Sequence, residues 1–132
     1  AKLLVGGQIP KQTGYFYPAT ILTNVKPGMT AFDDEIFGPV FAIIDAFSED
    51  EAFRLANLTR FGLSSAIFSK DIAKARKLAI EKIQSGSCYI NSKSSSNPLL
   101  PFGGIKSSGF GRELAKEGIV EFMNVKTIGI KL

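Results

Sequence analysis

Residues 38–47, Gly38-Pro39-Val40-Phe41-Ala42-Ile43-Ile44-Asp45-Ala46-Phe47, open on a turn signal and run into a stretch that is apolar but for Asp45. A run of that kind suits a strand covered on both faces. Ser48-Glu49-Asp50-Glu51 follows at once, with a hydroxyl able to cap a helix and a carboxylate three residues on to complete a capping box. A helix is therefore expected to about Leu58, burying Ala52, Phe53, Leu55 and Ala56. Residues 64–68 then read as a short strand. Residues 71–83 read as a second helix, with Ile72, Ala75, Ala79 and Ile83 on one side, and Ser87-Cys88-Tyr89-Ile90 as another strand. Strand, helix, strand, helix, strand is the pattern of an α/β fold with an open, mostly parallel sheet and crossover helices, about five strands in all.

Outward from that centre the signals weaken. Leu3-Leu4-Val5 reads as a short buried strand stopped by Gly6-Gly7. Residues 15–25 are rich in strand formers, but Pro18 makes their first half an edge or a bend, and Pro27-Gly28 marks a turn. Downstream, residues 91–109 are dominated by Ser, Asn, Pro and Gly. A loop of that length in a compact domain is usually functional or disordered. This one follows a predicted parallel strand, at the end where open α/β sheets bind their ligands. A third helix is expected from near Gly111, with Leu114, Ala115, Gly118, Ile119, Phe122 and Met123 as its apolar stripe. Val125-Lys126-Thr127-Ile128-Gly129-Ile130-Lys131-Leu132 alternates and reads as a closing strand.

Composition excludes several function classes. The chain has 132 residues, 45% apolar and 21% charged, with 16 Lys and Arg against 12 Asp and Glu for a net charge of +4. Those cations are scattered or, as at Lys70, Lys74, Arg76 and Lys77, spaced as a solvated helix face, so no nucleic-acid surface is expected. There is no histidine and one cysteine, Cys88, which removes the Ser-His-Asp triad, the Cys-His dyad, disulfides within the chain and Cys-based metal sites. No metal site and no membrane span are expected. Cys88 lies inside an apolar strand without a basic neighbour, where a thiol acts as a small hydrophobe rather than a nucleophile. A cytoplasmic setting fits this cysteine usage.

Two glycine-rich segments invite nucleotide-binding interpretations and fail them. Gly104-Ile105-Lys106-Ser107 lacks the Gly that a phosphate loop places directly before its Lys. Gly109-Phe110-Gly111 lacks the third Gly of a dinucleotide fingerprint and follows a loop instead of a strand. The carboxylates Asp33-Asp34-Glu35 are open to two interpretations on residue chemistry alone: a solvated turn, or a holder of sugar hydroxyls with Phe37 as an apolar platform.

Four segments carry a family resemblance. Glu35-Ile36-Phe37-Gly38-Pro39-Val40 resembles the Glu-x-Phe-Gly-Pro-Val segment of aldehyde dehydrogenases. Ser87-Cys88-Tyr89-Ile90-Asn91 resembles their strand ending in Asn. Pro101-Phe102-Gly103-Gly104-Ile105-Lys106-Ser107-Ser108-Gly109-Phe110-Gly111-Arg112-Glu113 is similar to their Pro-Phe-Gly-Gly-x-Lys-x-Ser-Gly-x-Gly-Arg-Glu signature. Tyr15-Phe16-Tyr17-Pro18-Ala19 resembles a further upstream segment, with Ala where Thr is usual. The match follows the family's order and spacing along essentially the whole chain.

The resemblance implies a set of roles. Glu35 would hold the nicotinamide-ribose hydroxyls of NAD or NADP, and Phe37 would pack beside that ribose and ring. Asn91 would be structural, supporting the active-site loop, and Phe102 would line the substrate tunnel. The loop before Phe102 resembles that of the succinate-semialdehyde branch. There a Ser at the offset of Ser96 helps hold the substrate's distal carboxylate, and this chain has Ser96-Asn97-Pro98-Leu99-Leu100 where that branch often has Ser-Asp-Pro-Arg-Leu. In the family a cysteine thiolate attacks the aldehyde, hydride passes to NAD or NADP, and water activated by a glutamate hydrolyses the thioester. The family's nucleophile, general base and dinucleotide-binding domain would lie upstream, so no catalytic residue is expected in this chain and it should be inactive alone. Residues 1–124 would then be the C-terminal part of the catalytic domain. Residues 125–132 would be an oligomerisation strand that pairs with a neighbouring copy in a homo-oligomer. The alternatives are a non-catalytic α/β binding module and an interaction domain built around the last strand.

Overall fold

Where the capping box was expected, a helix begins. The computed structural model describes all of residues 1–132. It divides into two compact units, Ala1–Thr59 and Arg60–Leu132.

The first unit holds β1 (Lys2–Val5), β2 (Thr20–Thr23), α1 (Thr30–Asp33), β3 (Val40–Ala42) and α2 (Glu49–Leu58). Its sheet has the order β1-β2-β3, with β1 antiparallel to β2 and β2 parallel to β3. Ser48 caps α2, its hydroxyl accepting from the Glu51 amide at 3.1 Å. The Glu51 carboxylate accepts in return from the Phe47 amide, one residue before the cap, at 2.9 Å. Glu49, Asp50 and Glu51 in the first turn also complement the helix dipole. Thr20 is buried because its hydroxyl is spoken for twice, accepting from the Gly7 amide at 3.0 Å and donating to the Pro18 carbonyl at 2.8 Å. Phe32, Ile44, Ala46, Ala52, Leu55 and Ala56 line a shallow apolar hollow of about 220 Å³.

Several expectations change here. The strand predicted over residues 40–47 is confined to Val40–Ala42, and it is not covered on both faces, since Phe41 is 71% exposed. β3 is an edge of its three-stranded sheet with β2 as its sole neighbour, so one side of the ladder is open. β1 forms, but its four residues are exposed, not buried, because nothing within the unit covers their faces. The α2 positions Phe53 and Leu55 are half-buried while Ala52 and Ala56 are exposed. The single turn α1 went unpredicted, because four residues are too few to show a period.

The second unit holds β4 (Phe61–Gly62), β5 (Ser64–Ile67), α3 (Ile72–Glu81), β6 (Ser87–Ile90), β7 (Ile105–Lys106) and α4 (Ala115–Val120). β5 and β6 are parallel, in register Ser64 to Ser87 through Ile67 to Ile90, and α3 is the crossover between them. This β-α-β unit is the clearest realisation of the expected α/β class. Asp71 caps α3 through the Lys74 amide at 2.9 Å. Ala75, 1% exposed, is the point where α3 is sealed; Ala79 and Ile83 are half-buried and Ile72 is exposed. Cys88 is half-buried in β6 and free.

The strands of the chain thus form three small sheets in place of one layer of about five strands. β7 pairs antiparallel with β4 inside what the sequence presents as a continuous loop, over two residues only. α4 begins at Ala115, not near Gly111, because Gly111 and Leu114 both take positive φ and Glu113 is engaged in an antiparallel bridge with Phe102. Of its expected stripe, Leu114, Ala115 and Gly118 are half-buried, Ile119 is exposed, and Phe122 and Met123 lie exposed beyond the helix end. Residues 125–132 form no strand within the chain, and Val125, Ile128, Ile130 and Leu132 are exposed. No helix is long and apolar enough to cross a membrane.

Candidate active-site loops

The predicted site residues fall on both units. Glu35 and Phe37 share one turn of the first unit; Asn91, Ser96 and Phe102 belong to one loop region of the second.

In the first turn, Glu35 is exposed and Phe37 is 91% exposed. Phe37 also has φ +52°, a left-handed conformation that a residue with a bulky side chain rarely adopts. Gly38 and Pro39 follow, and the Pro39 carbonyl accepts from the Thr20 amide at 2.8 Å, which fixes the exit of the turn to β2. A carboxylate and a ring are thereby presented together at a tethered turn.

In the second unit the parallel pair β5–β6 ends in a clamp. The Asn91 amide accepts from the Ser69 backbone N–H at 2.7 Å and donates to the Ser69 carbonyl at 2.7 Å. Its own N–H donates to the Ile67 carbonyl at 2.9 Å. Asn91 has φ +54°, which Asn tolerates better than most residues, and the chain leaves the strand at that point. The loop that follows carries Ser96, which is exposed, and is tied at its far end by the Ala115 amide donating to the Pro98 carbonyl at 3.1 Å.

Phe102 is half-buried, and its backbone exchanges two hydrogen bonds of 2.8 Å with Glu113. The Pro-Phe-Gly-Gly segment needs its glycines for close approach. A Cβ on Gly86 would collide with the Gly103 carbonyl oxygen, and one on Gly103 would meet the Gly111 oxygen at 2.7 Å. Arg112 closes the segment from the other side, its Nη1 donating to the Gly104 carbonyl at 2.8 Å and the Gly111 carbonyl at 2.6 Å. Leu63, Phe102, Phe110, Arg112, Glu113 and Phe122 help line an open cleft of about 390 Å³.

Three residues here had no role assigned from sequence: Arg112, Ser69 and Tyr89, whose hydroxyl donates to the Ser95 carbonyl at 2.6 Å. Tyr89 left one trace, a polar tip beside Cys88 and Ile90 within β6; in the clamp Ser69 acts through its backbone and left none. No group of three or more His, Cys, Asp or Glu side chains is placed to hold a metal ion.

A folded segment with this order of turns, clamp and glycine-supported signature defines an aldehyde dehydrogenase catalytic-domain fold. The chain belongs to the aldehyde dehydrogenase family, whose model it matches over residues 1–128. It is 45% identical over 128 residues to the NADP(+) succinate-semialdehyde dehydrogenase of Deinococcus radiodurans, covering 97% of this chain and 27% of that protein. To the NAD(P)+ succinate semialdehyde dehydrogenase of Escherichia coli it is 46% identical over 128 residues, 97% of this chain and 28% of that one. Among solved structures, betaine aldehyde dehydrogenase from Staphylococcus aureus in complex with NAD+ superposes with a TM-score of 0.86 at 40% identity, over 92% of this chain and 25% of that one. The chain therefore spans little more than a quarter of the length of these relatives.

Proposed function

We propose that this chain serves as the C-terminal part of the catalytic domain in an NAD(P)-dependent aldehyde dehydrogenase that oxidises succinate semialdehyde to the dicarboxylic acid. The observation that carries the proposal is the identity of 45% and 46%, over 97% of the chain, to two succinate-semialdehyde dehydrogenases. Exposed apolar faces such as those of β1, β3 and α4 support a larger setting, since faces of this kind mark contact surfaces.

The turn at Glu35 fits a nicotinamide ribose: an exposed carboxylate that accepts from two sugar hydroxyls, beside an exposed ring held at positive φ. Bound there, NAD or NADP supplies the hydride acceptor. Glu35 orients the ribose, and Phe37 packs against its apolar face. Asn91 anchors the loop that carries Ser96, and the Ser96 hydroxyl donates to the distal carboxylate of the substrate. Phe102 lines the path to the reacting carbon. The attacking thiolate comes from sequence outside this chain, because its one cysteine, Cys88, sits half-buried within β6; the family resemblance places the glutamate base outside it as well.

Kinetics on succinate semialdehyde and on butanal, a neutral aldehyde of the same carbon count, test the substrate. The full-length enzyme should favour the semialdehyde by at least about 100-fold in kcat/KM, below the roughly 10,000-fold or more that a site built to pair a polar group reaches. Equal values would remove the carboxylate claim. The 132-residue chain by itself should form no reduced cofactor from either, and steady turnover by it would overturn the placement of the nucleophile elsewhere.

Residues 125–132 are proposed as an oligomerisation strand. They alternate Ile128, Ile130 and Leu132 on one side, and they form no ladder within their own chain. An unpaired segment with an alternating apolar side can pair with a sheet edge of a second copy. Deleting residues 126–132 from the full-length protein should move its sedimentation toward the monomer; an unchanged assembly would show that other surfaces hold the copies together.

A further inference from the structure

The middle of the loop after β6 is held by one side chain. Residues 92–96 are exposed and belong to no strand or helix. Upstream, Asn91 is clamped to Ser69. Downstream, Asn97 folds a tight turn, its Oδ1 accepting from the Leu99 amide at 2.9 Å and its carbonyl from the Leu100 amide at 3.0 Å, and Pro98 is tied to Ala115. Between those anchors, the tie to the strand body is the Tyr89 hydroxyl on the Ser95 carbonyl at 2.6 Å.

We infer that Tyr89 is a positioning residue for substrate specificity, latching the loop at Ser95 so that the adjacent Ser96 hydroxyl is held ready for the distal carboxylate of a semialdehyde. This rests on Ser96 as a substrate contact, as proposed above. The chemistry follows from three features. The latch accepts through a backbone carbonyl, so it fixes the path of the chain whatever side chain stands at 95. Tyr89 pairs with Ala66 inside a parallel ladder whose register with β5 is set by four residue pairs, so its ring has a rigid base. A hydroxyl donor serves an anion only when it is pre-placed, because each freely rotating backbone bond that must be ordered at binding offsets the hydrogen bond gained. An aldehyde without the carboxylate makes no use of that donor, so the latch acts on one substrate class and not the other.

The test uses the full-length enzyme carrying this sequence, with the variants Tyr89→Phe and Ser96→Ala and the substrates succinate semialdehyde and butanal. Tyr89→Phe removes one oxygen and keeps the ring. It should raise KM for the semialdehyde roughly 3- to 10-fold, the scale of one lost hydrogen bond, while kcat and the butanal KM stay within about 2-fold. Amide exchange should quicken across residues 92–96 and remain slow in α3. If Tyr89→Phe leaves the KM ratio of the two substrates unchanged while Ser96→Ala collapses it, the latch is overturned and the Ser96 contact stands. If Tyr89→Phe shifts the ratio and Ser96→Ala does not, the latch stands and a different loop group meets the carboxylate. Equal losses on both substrates, or exchange that quickens throughout the unit, would make Tyr89 a general support of the fold and end the inference.

Discussion

Two candidate-site residues, one in each unit, have nearly the same unusual backbone, and each unit treats its own differently. Asn91 has φ +54° and Phe37 has φ +52°. Around Asn91 the conformation is over-determined: its side chain closes a two-bond ring with Ser69 and its N–H completes the ladder from Ile67. Asn is also among the residues that visit the left-handed region at modest cost. Phe37 has neither advantage, since its ring is 91% exposed and its residue type is unsuited to positive φ. A strained residue of that kind carries on the order of 1–3 kcal/mol. At Asn91 the left-handed turn is part of how the chain folds. At Phe37 the fold gains nothing visible from it, which is the situation expected where the conformation serves a ligand.

The largest effect should come from breaking the compensated turn. Asn91→Ala removes both amide hydrogen bonds and places a residue with no local compensation at positive φ. In the full-length protein it should lower stability by about 2–5 kcal/mol, summing two hydrogen bonds and the left-handed penalty. Asn91→Gly should recover the backbone share of that loss and not the hydrogen-bond share. Denaturant midpoints of the two variants measure both. An Ala variant as stable as the parent would mean that Asn91 is no better supported than Phe37, and the contrast would fail.

The same contrast explains what could be foreseen from the sequence. The β5-α3-β6 unit was legible because its parts carry local signals: an apolar spacing in α3 and two short strand runs, the second stopping just before Asn91; that Asp71 is the cap of α3 and not its first residue was not foreseen. α2 was legible from Ser48 and Glu51. β7 was not, because a two-residue ladder has no period and its pairing with Phe61 and Gly62 is long-range. The extent of β3 was overestimated because an apolar run reports what a segment can bury, not which neighbours are at hand to cover it. The site residues became legible through family resemblance; charge and spacing alone left Glu35 as either a solvated turn or a ligand. The Tyr89 latch was out of reach, since its acceptor is a backbone carbonyl that sequence does not distinguish from any other.

A middling effect is expected at Glu35, where function should change with stability untouched. Its carboxylate is exposed, and Gln keeps the length and one acceptor while losing the charge. Charge-assisted hydrogen bonds are roughly twice as strong as neutral ones, so Glu35→Gln should slow hydride transfer by about tenfold through poorer placement of the ribose. Single-turnover formation of the reduced cofactor measures that step directly. A parent-like rate, with parent-like KM for the cofactor, would detach this turn from cofactor binding and leave the strain at Phe37 without a purpose.

The smallest effect is the most discriminating. Phe37→Gly removes a left-handed penalty of about 1–2 kcal/mol and adds back about 0.5–1 kcal/mol of chain entropy, so the folded protein should be unchanged or more stable by up to about 1.5 kcal/mol. Loss of an exposed ring subtracts little from the folded state. Phe37→Ala keeps the Cβ and most of the strain, so it should show no such gain. Both variants lack the ring and should raise the cofactor KM alike, whereas only the Gly variant should gain stability. That pairing separates the two properties of the turn: its backbone strain, which Gly relieves, and its aromatic platform, which neither variant retains. If Phe37→Gly were instead destabilised by the amount expected for Asn91→Ala, the ring would be contributing to folding, and both left-handed turns would have to be counted as structural.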